Sequence, residues 1–129
     1  MKKHLVALVI FAIAGSAQAL TLKEKKQFAD WQAYLKDGSQ SYVKTVKEKC
    51  GFEIPVTLDE KFTTPFMEKN ANAASYCDTP RSTLSSMCGD ATAKNEITKK
   101  VKKITCKLGK PDEATFKFSG TELVFTVGV

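Results

Sequence analysis

From Leu22 onward the apolar side chains keep two different rhythms. Phe28, Trp31 and Leu35 recur three and four residues apart among charged and polar positions, which predicts a helix over Leu22–Lys36. Asp37, Gly38 and Ser39 stop it and offer a new cap, and Tyr42, Val43 and Val46 line the apolar side of a second helix over Gln40–Lys49. The period then changes: Phe52, Ile54, Val56 and Leu58 alternate with Glu53, Pro55, Thr57 and Asp59, as in a strand. Pro55 lacks an amide donor, which assigns this strand to a sheet edge. Thr64-Pro65 is a helix start, since a hydroxyl caps free amides and proline is tolerated in the first turn. That helix carries Phe66 and Met67 and runs on through Asn70–Tyr76. Thr79-Pro80 repeats the signal and opens a short helix ending near Gly89.

Beyond Asp90 the rhythms overlap, because Ile97, Val101 and Ile104 fit a helix while Ile104, Cys106 and Leu108 alternate. A helix over Ala91–Thr98 followed by a strand is expected. Two more strands follow, Ala114–Ser119 with Phe116 and Phe118, and Glu122–Val127 with Leu123, Phe125 and Val127. Gly109, Lys110, Pro111 and Asp112 supply one turn, and Ser119, Gly120 and Thr121 the other. Helices first and three strands last predict an α+β domain, with N-terminal and central helices packed on a small antiparallel β-sheet that ends in a C-terminal meander.

The N-terminus has a different character. Lys2 and Lys3 precede an unbroken apolar run, Leu5–Ala14, and Ala17-Gln18-Ala19 is a small-x-small cleavage site, the pattern of a secretory signal peptide. The run is shorter than the ~20 residues a membrane-spanning helix needs. The expected division is a signal peptide over residues 1–19 and one domain over 20–129, with no integral membrane segment after cleavage. Removing residues 1–19 takes Lys2 and Lys3 away and lowers the formal charge from +6 to +4. That excess bears on solubility and weak attraction to anionic surfaces more than on any one partner.

Cys50, Cys77, Cys88 and Cys106 are an even set in an exported chain, which reads as two disulfides. None forms the close pair that a zinc site or a redox-active C-x-x-C motif uses. If Pro80–Cys88 is a helix with Cys77 just before it, its rise of roughly 12 Å makes a Cys77–Cys88 bridge hard to close. Cys50 shares the parity of Phe52 and Ile54, and Cys106 that of Ile104 and Leu108. Among the three connectivities, Cys50–Cys77 with Cys88–Cys106 is favoured.

The one histidine, His4, lies in the segment expected to be removed. A mature chain without histidine cannot run Ser-His-Asp, Cys-His or imidazole-based zinc chemistry. Neither catalytic residues nor a cofactor nor a metal site is expected. The carboxylates Asp59, Glu60, Glu68, Asp78, Asp90 and Glu96 could supply a glycosidase-type acid and base, but all stand in stretches that read as solvated surface. Lys99, Lys100, Lys102, Lys103 and Lys107 form the densest charge cluster. They are a candidate anionic-surface patch, or a charged strand edge that prevents aggregation. No aromatics are interleaved for base stacking, so nucleic acid is not an expected partner. Trp31 and Tyr34 could stack on sugar rings, but the helical spacing of Trp31 beside Phe28 and Leu35 reads as core.

The segments Cys50–Asp59, Lys99–Gly109 and Gly120–Val129, with the cysteine-bearing helical middle, resemble a group of small exported proteins of Gram-negative bacteria whose activity is not established. The likeness spans about residues 28 to 129. It implies a periplasmic or secreted setting and a chain that continues past Val129, and it carries over no functional residue. The expectation is a non-enzymatic exported domain that binds or inhibits a partner in the cell envelope or medium. The alternative is a carboxylate-based hydrolase acting on an envelope polymer.

Overall fold

The computed structural model describes residues 19–129, so the expected leader up to Gln18 lies outside the described residues. Helix α1, Leu22–Asp37, starts in a capping box: Thr21 Oγ1 accepts from the Glu24 amide at 3.1 Å, and the Glu24 carboxylate accepts from the Thr21 amide at 2.9 Å. Trp31 and Leu35 are buried on its inner face. Helix α2, Val43–Cys50, starts three residues later than the hydrophobic pattern indicates. Its cap comes from across the fold, because Asp78 accepts from the Tyr42 amide at 2.8 Å and Ser41 Oγ accepts from the Val43 amide at 3.2 Å. Gly51, at φ 87°, closes α2 in the left-handed conformation that glycine adopts without penalty.

Strand β1 is only Val56–Leu58, and Pro55 stands immediately before it. A 3-10 turn, Glu60–Phe62, leads into α3, Thr63–Glu68. The break in the helical middle falls earlier than the Thr79-Pro80 signal implies. Asn70 takes a positive φ of 53° and Asn72 caps a new helix by accepting from the Ser75 amide at 3.2 Å. Helix α4 then runs without interruption through Pro80, over Ala73–Met87. Proline inside a helix costs about 3 kcal/mol in lost hydrogen bonding and sterics. Here the buried stripe Ala73, Ala74, Cys77, Pro80, Arg81 and Leu84, anchored by two disulfides, offsets that cost. Asp90 caps α5, Ala91–Lys100, by accepting from the Ala93 amide at 2.9 Å.

Three strands close the domain: β2, Lys103–Leu108; β3, Ala114–Ser119; and β4, Glu122–Val127. The helices pack on one four-stranded sheet, which gives the expected α+β class, and β1 lies at an edge as Pro55 requires. The pairing order, however, is β1-β2-β4-β3, with β1–β2 and β2–β4 parallel and only β3–β4 antiparallel. The sheet is therefore mixed, and its last three strands do not form a simple meander. After β2 the chain skips one strand position, lays down β3, and returns β4 into the gap. The register explains the choice: Ile104 pairs with Leu123, Cys106 with Phe125 and Leu108 with Val127, so three apolar pairs face the helices. The crossing is sealed where Gly109 N donates to Val127 O and Gly128 N to Glu113 O, both at 2.9 Å. Only glycine fits at 128, since a Cβ there would come within 1.8 Å of Lys110 O.

The disulfides also differ from the favoured pairing. Cys50 bonds Cys88 and Cys77 bonds Cys106, with Cα separations of 5.2 and 5.8 Å. Cys50 is the last residue of α2 and not part of a strand, so it meets the end of α4. Cys77 and Cys88 lie on one face of a continuous helical path, about 16 Å apart along its axis. A bridge between them is excluded, as expected, and each takes a different partner, the sheet for Cys77 and α2 for Cys88. Two disulfides point to an oxidising, non-cytoplasmic setting.

Asp78, expected at the surface, is buried against Arg81, each 2% exposed, with Asp78 Oδ1 to Arg81 Nη1 at 3.1 Å. Arg81 also donates to Ile54 O at 2.9 Å and to Leu35 O at 2.6 Å, and Ser41 Oγ donates to Asp78. One ion pair thus ties α4 to the end of α1, the start of α2 and the approach to β1. Burial pushes the guanidinium below its ordinary value, opposed by Asp78, and it stays charged at neutral pH.

Candidate functional site

Paired residues in a sheet share a face, so Phe116, opposite Phe125, and Phe118, opposite Leu123, point to the helix side. Yet Phe116 is 54% and Phe118 60% exposed, because β3 extends past the helices that cover the other strands. Phe116 stacks on Phe125 with ring centroids 4.6 Å apart, which fixes its direction. Across from it, α4 presents Tyr76 and Met87, also exposed. Between them lies an apolar cavity of about 410 Å³ whose walls include Leu84, Met87, Ile97, Val101 and Phe118. A second cavity of about 550 Å³, lined by Ser75, Tyr76, Glu113 and Val129, continues beside the other end of β3. The two share no wall residue but follow one another along α4 from Ser75 to Met87, about 18 Å at the helical rise, and together make up the trough between α4 and β3. The six residues of β3 span about 20 Å, so trough and strand match in length.

The trough's polar rim includes Ser75, Thr79, Asp112 and Glu113 at the second cavity. Glu96 and Lys100 pair at 3.0 Å on its α5 side, and the hydrogen bond from Lys100 holds the Glu96 carboxyl below its ordinary value. On the opposite face of the sheet, Lys117 sits across from Val124 and makes no ion pair among the described residues.

The lysine cluster is dispersed. Lys99 and Lys100 occupy the last turn of α5, where positive charge suits the helix dipole, and Lys102 Nζ donates to Thr98 O at 2.6 Å. Lys103 and Lys107 lie on the solvent face of β2, an interior strand, so they do not guard a sheet edge. Lys103 also pairs with Glu122 at 3.7 Å.

The candidate acids are likewise separated. Asp59 and Asp90 cap helices, Glu60 and Glu68 are exposed, Glu96 pairs with Lys100, and Asp78 belongs to the buried pair. Trp31 is 5% exposed and therefore core, and the Tyr34 hydroxyl donates to Gln40 O at 3.0 Å. Among the described residues no group of three or more His, Cys, Asp or Glu could hold a metal, and no helix is long and apolar enough to cross a membrane.

Sequence reading did not single out Tyr76, Met87, Phe116 or Phe118 as functional. The alternation of Phe116 and Phe118 with Thr115 and Lys117 was the available signal, and it reads as core until the strand order is known. No protein-family model, no curated protein and no solved structure matches this chain, so its functional reading rests on the trough and the open strand beside it.

Proposed function

We propose that this chain is a non-enzymatic domain of the periplasm or the extracellular medium that binds a partner of the cell envelope or medium through the trough between α4 and β3. The observation that carries the reading is the exposure of Phe116, Phe118 and Met87 around one apolar depression, with exposed Tyr76 lining the cavity next to it. Exposed apolar side chains scattered singly are ordinary, whereas three lining one depression mark an interaction surface. The leader-like pattern of residues 1–19 and the two disulfides support the exported setting. A carboxylate-based hydrolase would be favoured by two free acids facing one cleft. Asp112 and Glu113 both line the second cavity, but Glu113 is engaged by the Lys110 amide at 2.9 Å and the Thr115 hydroxyl at 3.4 Å. The acids named above each serve a cap, an ion pair or solvent, which supports binding instead.

Site-specific photo-crosslinking in the native host tests the proposal. A photoreactive residue at Phe118 or Met87 should give one discrete adduct, and the same residue at the remote exposed position Lys61 should give none. Absence of an adduct at both trough positions, or equal adducts at all three, would reject it.

A further inference from the structure

We propose that the occupant of this site is an extended segment of a partner chain that adds to β3 as a fifth strand, with apolar side chains toward the trough and acidic ones beside Lys117. The inference rests on the binding reading above and specifies the ligand. Its first support is the contrast between the two sheet edges. Edge strands carry unpaired N–H and C=O groups, and proteins blunt them by shortness, proline or cover. The β1 edge is three residues long and preceded by Pro55. The β3 edge is twice as long, contains no proline, and all six of its residues are exposed. Alternate residues of β3 bond to β4, and the intervening ones direct their backbone groups outward.

Face and charge then fix the pattern of the incoming strand. Side chains of an added strand on the helix side would stand next to Phe116 and Phe118 and extend the apolar floor by one row. On the solvent side, the rows across the sheet run Lys103, Glu122, Ser119; Thr105, Val124, Lys117; and Lys107, Thr126, Thr115. Within these rows three lysines face a single glutamate, and Glu122 already serves Lys103; Glu113, just before β3, is taken up by the Lys110 amide and the Thr115 hydroxyl. The open end of the middle row is Lys117, which has no ion-pair partner among the described residues. An alternating apolar and acidic segment satisfies both faces, which is recognition by strand addition with charge complementarity. A second copy of this chain fits poorly. Two-fold antiparallel pairing of β3 that keeps both aromatic faces on one side brings Lys117 opposite or diagonal to its own copy, a repulsive arrangement.

The test uses the mature, oxidised protein and blocked heptapeptides, one alternating valine and glutamate, one alternating valine and lysine, and one acidic peptide interrupted by proline. Amide hydrogen exchange by NMR should show alternate β3 amides gaining protection with the acidic peptide alone. Lys117→Glu should weaken that peptide about tenfold, the size of a cross-strand pair turned from attraction to repulsion, and should admit the lysine peptide. Lys117→Gln, which adds no new charge, should show the loss without the gain. Equal binding of acidic and basic peptides, or no binding by either, would overturn the inference. Shifts confined to α4 and α5 with β3 amides exchanging freely would overturn strand addition and leave the trough reading standing. Self-association that disappears in Lys117→Glu would assign the edge to a second copy and overturn the proposed ligand. Failure of the crosslinks described above would remove the binding reading itself, so the two failures are distinguishable.

Discussion

Replacing Arg81 by methionine keeps most of the buried stem and removes the guanidinium. The Asp78 carboxylate is left with the Ser41 hydroxyl and the Tyr42 amide but no countercharge, and the Leu35 and Ile54 carbonyls lose their donors. Removing one member of a buried ion pair costs about 3–5 kcal/mol, far above the ~0–1 kcal/mol of an exposed pair. A domain of this size holds only about 5–15 kcal/mol in all. The expected fall in Tm is therefore about 12–40 °C, at about 4–8 °C per kcal/mol. Asp78→Asn should be comparably costly, since its amide nitrogen would face the Tyr42 N–H, donor against donor, and Arg81 would lose its countercharge. In the double variant no buried charge is left alone. Its loss should approach that of one single variant, giving a coupling of about 3–5 kcal/mol. Urea unfolding of the four oxidised proteins at constant m measures these values. The reasoning fails if Arg81→Met loses less than about 1 kcal/mol, or if the two single losses add to within about 0.5 kcal/mol.

Trypsin cuts after Lys49, Lys61, Lys69, Arg81, Lys94, Lys103 and Lys107, which separates all four cysteines. Digestion of the denatured, unreduced protein should link the peptide over 50–61 to that over 82–94, and 70–81 to 104–107; a link between 50–61 and 70–81 would contradict the fold. The bridges close spans of 38 and 29 residues. On loop entropy each should contribute about 3.5–4 kcal/mol, so reduction should lower the urea midpoint sharply. Stability should also fall on the acid side. The Thr21 amide holds the Glu24 carboxyl below its ordinary value, Lys100 does so for Glu96, and the Thr105 hydroxyl does so for Glu122. A lowered carboxyl stabilises the fold above its unfolded pKa, about 4.3, and that contribution is lost as pH falls through the folded value. Thermal melts of the mature chain should be nearly flat from about pH 5 to 8, since no histidine titrates there, and a marked change across that range would refute the assignment.

Local periods and caps made much of the secondary structure legible. Thr21 and Glu24 announce α1, the alternation around Leu123, Phe125 and Val127 announces β4, and Pro55 marks an edge because an amide donor is missing whatever the fold. What sequence could not supply were the choices decided by distant partners. Pro80 looked like a helix start because its local cost is real, and only the buried stripe and the two disulfides carry α4 through it. Asp78 looked solvated because a carboxylate among polar neighbours has no visible partner until Arg81 turns inward with it. The cysteine pairing is hidden for a related reason: Cys50 has the parity of the strand that follows but ends α2, and α4 continues through Pro80, so each cysteine meets a neighbour that local pattern does not show.

The candidate site itself follows from the least legible feature, the order of the strands. Had β3 paired between β2 and β4 as in a meander, Phe116 and Phe118 would have fallen beneath α4 and the trough would be core. Returning β4 to the interior places the cleanest apolar alternation, Leu123, Phe125 and Val127, where two neighbours and the helices bury it. The strand left outside must then be β3, whose aromatic pair has the parity of a core strand and the position of an edge. No shorter-range rule predicts that combination, because alternation reports which face a residue takes and says nothing of how many strands lie beside it. The same displacement leaves one row of backbone groups and one lysine unpaired, among the described residues, along a six-residue edge. Apolar floor, open backbone and unpaired charge thus share one origin, and a single extended ligand is the simplest object that satisfies all three.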